Sequence, residues 1–314
     1  GVISPVSRTR RKNMSTQTIS KEINLSQIKT AADQLNSTEN ILHSLNSGFV
    51  IHRVGQVSYD FLSEARTFAQ ELQGYMNMQL KEKATTLVYE EVLGNYGYMH
   101  WLVHMKTPSD YGQLLEMVDH DEAFQKIYQD DRLPQRGGGN WERMFVQGSF
   151  KENILVPQHG FAKEALDEKE QGLFTTAARH QLPNSAKPFL DTSSAGAILL
   201  RTGQAKYECR DLARYYLSEW QAYINKVAPG IITSSQFEEM WGSQDTLHMI
   251  VHLRSLADYT ILRNLEIEDA GLIELMKKPR AEMNGEVVPW GGLFEASTLS
   301  DKVLLPISAQ PHEG

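Results

Sequence analysis

The sequence has a single cysteine, Cys209, among its 314 residues. One thiol cannot form an intramolecular disulfide, and it cannot supply the two or more thiolates of a cysteine-based zinc site. Chains with so little cysteine are typical of reducing compartments, so we expect a cytoplasmic protein.

Long apolar runs and an excess of positive charge are also missing. No stretch of about 18 apolar residues occurs, which argues against a transmembrane helix and a membrane partner. The 31 Lys and Arg residues are outnumbered by 39 Asp and Glu residues, which gives a formal charge of −8. Nucleic-acid binding needs a basic surface that neutralises phosphates, so this balance argues against a nucleic-acid partner.

The remaining composition is that of a folded protein with about two domains. The hydrophobic share is 41% and the charged share is 22%, both close to the averages of globular proteins. Residues 1–13 are basic and lack periodicity, and we interpret Met14 as the natural start. We expect residues 1–47 to be an N-terminal extension that includes a polar helical segment.

The strongest pattern is an internal repeat with an offset of 148 residues. GFVIHRVGQVSYDF at 48–61 aligns with GAILLRTGQAKYEC at 196–209, and matches continue without a gap as far as Leu114 and Leu262. After one residue of slippage, Trp141 aligns with Trp290. The repeat predicts two homologous units at 48–157 and 196–306, a linker at 158–195 and a tail at 307–314.

Each unit has the predicted element order β-α-β-β-α-β. In the first unit, an extended segment at 49–57 precedes an amphipathic stretch at 59–81. Two strand-like segments at 86–93 and 98–106 form a hairpin, and a helix at 111–128 leads to a last strand near 149–157. This order is that of the ferredoxin-like split βαβ unit, an α+β fold.

A four-stranded sheet with helices on one face leaves its other face uncovered, and two tandem copies can cover each other sheet to sheet about a pseudo-twofold axis. With this arrangement the chain resembles the dimeric α/β-barrel superfamily, as a fused two-repeat version from a bacterial branch, over roughly 48–306. That superfamily includes cofactor-independent monooxygenases, polyketide-cyclase-like proteins, and haem-degrading or haem-binding enzymes. Membership of the fold does not by itself identify the reaction.

The third strand of each unit carries two histidines, His100 and His104 in the first and His248 and His252 in the second. Side chains alternate along a strand, so both histidines of a pair share a face, and we expect that face to line the space between the sheets. Residues at i and i+4 on a strand lie about 13 Å apart, so one pair cannot chelate a single metal ion. A metal site would therefore need histidines from both units.

The first strands carry Arg53 and Arg201 at matching positions. A guanidinium binds carboxylates or phenolates through its planar fork, and an arginine beside histidines would suit an anionic or enolic substrate. We predict a catalytic set of these two arginines and the four histidines, with histidine as general base and arginine stabilising the oxyanion. The second strands place one carboxylate on each face, and we expect these to contact substrate: Glu90, Glu91, Glu238 and Glu239.

Three functions remain open at this level. The first is an enzyme of bacterial specialised metabolism, monooxygenase-like or cyclase-like, that binds a small anionic or phenolic molecule between the sheets and needs no known cofactor. The second is an enzyme that depends on haem or a transition metal held by His100, His104, His248 or His252. The third is a non-catalytic binding module in which these polar side chains form only a network between the sheets. The chain could be a monomer or a homodimer.

Overall fold

The computed structural model describes residues 41–158, 172–185 and 188–307. Most of the expected N-terminal extension, part of the expected linker and nearly all of the tail lie outside these residues. Within the described ranges, no helix is long and apolar enough to cross a membrane.

The first half contains four strands and four helices. The predicted single helix at 111–128 is two helices, because Asp121 leaves the helical region (φ −86°, ψ 105°) and its side chain caps the next helix by accepting from the Phe124 amide. The elements in chain order are β1 (Phe49–Gln56), α1 (Leu62–Gln79), β2 (Ala84–Leu93), β3 (Tyr98–Met105), α2 (Pro108–His120), α3 (Glu122–Gln129), α4 (Trp141–Met144) and β4 (Lys151–Pro157).

The second half follows the same order and adds a short hairpin. Asp269 breaks its helical region as Asp121 does in the first half, and it caps the next helix through the Leu272 amide. The elements are β5 (Ala197–Gln204), α5 (Arg210–Val227), β6 (Ile232–Met240), β7 (Thr246–Leu253), α6 (Asp258–Glu268), α7 (Ala270–Lys277), β8 (Ala281–Met283), β9 (Glu286–Val288) and β10 (Ser300–Pro306).

Eight of the strands form one closed antiparallel barrel in the order β1-β3-β2-β10-β5-β7-β6-β4. The two four-stranded sheets join along both edges, where Glu91 of β2 pairs with Leu304 of β10 and Glu239 of β6 pairs with Leu155 of β4. Closure satisfies the backbone groups that would otherwise be exposed at sheet edges. The mixed α+β class and the barrel are therefore as expected, and the sheets meet by edge-to-edge hydrogen bonding as well as across the interior.

Helices cover the outside of the barrel, and side chains fill its interior. On the outer face, the predicted apolar set of β3, including Met99, Trp101 and Val103, packs under the helices. A second outer core includes Leu199, Trp220 and Met249. The interior contains a separate cluster, called here the lumen core: Leu45, Val50, Leu87, Tyr89, Leu102, Leu155, Ala178, Ala195, Ile198, Leu200, Phe237, Ile250 and Leu304. The expected substrate space between the sheets is instead occupied by this core.

Candidate functional site

The four strand-three histidines do point into the barrel, as the alternation of side chains predicted. They lie in two layers on either side of the lumen core, with His100 and His248 in one layer and His104 and His252 in the other. Each is at most 5% exposed. The two layers differ in their partners and are described in turn.

In the first layer, three side chains of the first half form a hydrogen-bonded chain. His52 Nε2 lies 2.8 Å from His100 Nδ1, and His100 Nε2 lies 2.9 Å from Glu91 Oε2. Glu91 also accepts from the Asn95 amide. An ionised Glu91 can only accept a hydrogen bond, so His100 Nε2–H is the donor to it. In the neutral imidazole, His100 Nδ1 is then the acceptor, and His52 Nε2–H donates to it.

Burial and hydrogen bonding set the charges of this chain. Burial alone would raise the pKa of Glu91, but hydrogen bonds from His100 and the Asn95 amide outweigh it and lower that pKa. Burial lowers the pKa of His100, and Glu91 opposes that effect only in part. Burial, together with repulsion from His100, lowers the pKa of His52 well below 6.5. The chain is therefore a carboxylate with two neutral imidazoles near neutral pH.

The equivalent group of the second half is less complete. His248 Nδ1 lies 3.1 Å from Thr202 Oγ1, while His248 Nε2 is 3.5 Å from Glu239 Oε2 and has no hydrogen-bond partner among the described residues. The position of His52 is taken by Leu200 in this half. The two halves thus differ in a way that the sequence repeat alone shows only at that position.

The second layer is a closed network that joins the two halves. His104 Nδ1 donates to the Thr85 carbonyl at 3.1 Å, because a carbonyl can only accept, so His104 Nε2 accepts from Thr192 Oγ1 at 2.9 Å. In the same way His252 Nδ1 donates to the Thr233 carbonyl at 2.9 Å, and its Nε2 accepts from Ser44 Oγ at 2.8 Å.

Ser44 and Thr192 also bond to each other, since each backbone amide donates to the hydroxyl of the other residue. Each precedes the first strand of one half and bonds to the histidine of the other half. Burial lowers the pKa of His104 to about 3 and that of His252 to about 4, although the bonded carbonyls oppose the shift. Both imidazoles are therefore neutral, and all four of their nitrogens are engaged.

These contacts bear on the metal or haem alternative. Neither His104 nor His252 has a free lone pair for a metal, and His100 is held at both nitrogens. Across residues 41–158, 172–185 and 188–307, no three His, Cys, Asp or Glu side chains are grouped as a metal ion would need. The donor set of His100, His104 and His252 therefore does not fit a metal or haem iron. Among the four strand-three histidines, only His248 keeps a nitrogen without a hydrogen bond to any described residue, its Nε2, which lies 3.5 Å from Glu239 Oε2.

The two arginines lie on the other side of the sheet, away from the histidines. Arg53 pairs with Glu152 and Arg201 with Asp301, both on the outer face under the helices. The expected arrangement of arginine beside histidine is not formed, because neighbours in a strand point to opposite faces and Arg53 follows the lumen-facing His52. Two of the four glutamates also lie on the outer face, where Glu90 pairs with Arg66 and Glu238 pairs with Arg214. The other two, Glu91 and Glu239, face the lumen beside the histidines.

A cavity of about 470 Å³ surrounds Arg201 between the outer face of the sheet and the helices of the second half. Its volume falls within the usual range for small-molecule sites, and aromatic and apolar side chains dominate its wall. Tyr216 and Trp290 stack with ring centroids 5.3 Å apart. The wall also includes Leu217, Trp220, Leu247, Met249, Ile267, Met276, Phe294 and Leu299.

Arg201 is fixed within this cavity by two carboxylates. Its Nε and Nη2 donate to the two oxygens of Asp301 at 2.8 and 2.9 Å, and its Nη1 donates to Glu266 at 2.5 Å. Its guanidinium carbon lies 5.2 Å from the centre of the Trp220 ring. Burial alone would lower the pKa of Arg201, but hydrogen bonds to Asp301 and Glu266 outweigh it and raise that pKa, so the group stays charged.

The first half has a smaller counterpart around Arg53, with a volume of about 390 Å³. Arg53 and Glu152 are 38% and 39% exposed, against 20% for Arg201, so the first-half pair is closer to solvent. The repeat pointed to Arg201, but it gave no sign of Glu266, whose counterpart is Val118. Asp301 was also missed, although it pairs directly with Arg201 across β10 and β5.

Solved structures similar to this one share its fold. A candidate monooxygenase from Fusobacterium nucleatum matches with a TM-score of 0.51 and 6% identity, over 82% of this chain and 92% of that chain. An anthrone oxidase-like protein has a TM-score of 0.49 and 10% identity over 83% and 93%. A chlorite dismutase from Candidatus Nitrospira defluvii has a TM-score of 0.40 and 12% identity over 83% and 93%. At 6% identity the first likeness shows the fold alone.

Among sequences, no curated protein matches this chain. The sequence model of one family, described as a family of unknown function, matches residues 19–312.

Proposed function

The chain belongs to the family of unknown function DUF6039, and we propose that this member is an oxidative enzyme that binds a planar hydroxylated aromatic molecule in the cavity around Arg201. One observation carries the proposal, namely a half-buried, charged guanidinium that two carboxylates hold in place on a mostly aromatic and apolar wall. Aromatic walls bind flat rings, and a few fixed polar groups orient them.

The charges of the cavity favour an uncharged substrate over the carboxylate anion that the sequence also allowed. Two arginines, Arg201 and Arg263, are balanced by two carboxylates, Glu266 and Asp301. An added anion would meet no excess positive charge there. A phenol or enol, by contrast, can accept from the N–H groups that Arg201 does not use for Asp301 and Glu266.

The reaction is proposed by analogy with the candidate monooxygenase of the same fold. A ring methylene next to a phenol or ketone can supply the electrons itself, so that the methylene and one molecule of dioxygen give a ketone and one molecule of water. One oxygen atom enters the carbon, and the other leaves with the two methylene hydrogens as water. Arg201 stabilises the oxyanion of the deprotonated ring, and the proton passes to Glu266 or Asp301, so the net charge of the cavity does not change.

We also propose that the two halves descend from one duplicated unit and that the second half kept the ligand site. The caps at Asp121 and Asp269 support a common origin, since each also accepts a hydrogen bond from an equivalent tyrosine, Tyr75 or Tyr223. The more buried arginine and the larger cavity support the choice of the second half.

Anthrone is a suitable probe, because it has three flat rings and a methylene flanked by two of them. The unmodified protein is expected to consume one dioxygen per anthrone, measured with an oxygen electrode and by the absorbance of the quinone. Arg201→Lys keeps the charge but loses the planar fork, and it is expected to lower kcat/KM by about 100-fold, as loss of an oxyanion donor does.

Arg53→Lys is the matched control, since it makes the same change at the equivalent position of the first half. It is expected to leave anthrone turnover within about twofold of the unmodified protein. Equal losses in both variants would contradict the assignment of the site. Calorimetric binding of anthrone under nitrogen, with no oxygen consumption in air, would identify a non-catalytic binding protein instead.

A further inference from the structure

We infer that the molecule bound at Arg201 carries an apolar chain, which leaves the ring cavity and lies in a groove along α6 and α7. This inference rests on the proposed function, because it concerns the same site. The substrate then belongs to the class of hydroxylated ring systems with an alkyl or similar hydrocarbon tail.

The groove, called here the outer groove, has a volume of about 480 Å³. Its apolar wall consists of Ile267, Ile273, Met276, Pro289 and Trp290. Ile267 is 60% exposed, which is high for an isoleucine. The outer groove thus presents an apolar surface beside the cavity around Arg201.

The outer groove adjoins the cavity around Arg201. Four residues line both spaces, namely Glu266, Ile267, Met276 and Trp290. A molecule whose ring lies against Arg201 therefore meets the groove directly as it leaves the cavity. From Arg201 outwards, such a molecule meets first a polar group, then aromatic rings, and then aliphatic side chains.

The first half supplies an internal comparison, because three of the groove's five apolar positions are polar there, whereas Met276 and Trp290 correspond to Tyr128 and Trp141. The residues equivalent to Ile267, Ile273 and Pro289 are Asp119, Gln125 and Asn140. The helices of both halves are interrupted at equivalent aspartates and occupy equivalent places. The fold thus accepts polar side chains at all three positions, so their apolar nature in the second half is not a requirement of packing.

The size of the groove favours a hydrocarbon chain over a protein partner. Seven residues line it, whereas a stable protein interface uses roughly 20–30 residues on each side. A protein surface would also have no reason to reach into the neighbouring cavity around Arg201. A linear tail matches both the small number of lining residues and the wall that the two spaces share.

The test uses 2-naphthol and its 6-n-alkyl derivatives from methyl to octyl, with dissociation constants measured by titration calorimetry. Affinity is expected to rise about two- to threefold per methylene group, somewhat below the value for complete burial because the groove is open. The rise stops when the chain reaches the end of the groove.

The variant Ile273→Gln/Pro289→Asn gives the groove the residues of the first half at two positions outside the shared wall. It is expected to reduce the gain per methylene group to less than about 1.3-fold. Gln125→Ile makes the reverse change in the first half, and the dependence on chain length should stay that of the unmodified protein. Melting temperatures of all variants are recorded to confirm folding.

Four outcomes would overturn the inference. Binding of 2-naphthol with no gain from the alkyl chain removes the tail but leaves the proposed function in place. An equal gain in the double variant means that the chain lies elsewhere. Sedimentation velocity that shows a dimer in the unmodified protein and a monomer in the double variant identifies the groove as a contact between two copies. If neither 2-naphthol nor any derivative binds, both proposals fail.

Discussion

Acidification from pH 7 to pH 4.5 is expected to lower the free energy of unfolding by about 4–5 kcal/mol through two buried histidines. Burial holds the pKa of His104 at about 3 and that of His252 at about 4, against 6.5 for an exposed histidine. Below pH 6.5 the unfolded chain takes up protons that the folded barrel cannot accept. Each of the two histidines therefore lowers the free energy of unfolding by about 1.4 kcal/mol per pH unit between pH 6.5 and its folded pKa.

Stability falls with falling pH because the pKa values of these histidines are lowered in the folded state. A histidine with a lowered folded pKa contributes its full stability above pH 6.5, and the contribution is lost as the pH falls towards the folded value. His43, His52 and His100 also have lowered pKa values, so they act in the same direction. The lowered pKa of Asp191, by contrast, takes effect only at lower pH, as its carboxylate becomes protonated.

Urea unfolding at pH 7.0, 6.0, 5.0 and 4.5 measures the effect. The double variant His104→Gln/His252→Gln removes both titrating groups, so its stability should depend less steeply on pH even though it is lower at pH 7. His120→Gln is the control, because it makes the same replacement at a histidine whose side chain is 74% exposed. A double variant with an unchanged pH dependence would contradict the assignment of the loss to these two imidazoles.

Replacement of His100 by alanine is expected to cost about 3–5 kcal/mol of unfolding free energy at pH 7. The Glu91 side chain is fully enclosed, and it would lose the imidazole that bonds to its carboxylate. His52 Nε2 would lose its acceptor at the same time. A buried charge without its partner is destabilising by more than the pair itself stabilises.

The corresponding His248→Ala change is expected to cost only about 1–2 kcal/mol from hydrogen bonding. His248 bonds to Thr202, but its Nε2 stands 3.5 Å from Glu239 and has no other partner in the described part of the chain. Urea unfolding of the two variants, measured side by side, gives the difference between their losses of unfolding free energy. The repeat makes this a matched pair, since the same residue is removed at equivalent positions.

A rescue experiment distinguishes the effect of the unpaired Glu91 charge from that of the cavity left by the missing imidazole. Glu91→Gln added to His100→Ala removes the unpaired charge, and the double variant should regain at least about 1 kcal/mol. Both histidine variants should still oxidise anthrone, because the lumen lies across the sheet from Arg201. Equal costs at the two positions would contradict the role given to Glu91. Loss of turnover at unchanged stability would instead place chemistry in the lumen, as the sequence first indicated.

Local patterns in the sequence predicted much of the fold. Alternation along β3 correctly placed His100 and His104 on the opposite face from Trp101, because side-chain direction in a strand depends only on the parity of residue numbers. The 148-residue offset paired Arg53 with Arg201 and Glu91 with Glu239, which occupy equivalent places in the barrel. The break at Asp121 was missed, since the apolar spacing continues through it.

The candidate site depended on information that no local pattern contains. The sequence by itself determined the order of the strands in the two halves and the alternation of side chains along each strand, and its single cysteine excluded an intramolecular disulfide and a cysteine-based zinc site. Only the tertiary structure decided that the lumen is packed, that Arg201 meets Asp301 and Glu266, and that a cavity opens outside the barrel. Ligand-sized space is the difference between the volume enclosed by distant elements and the volume of the side chains that fill it, and only the complete packing fixes that difference.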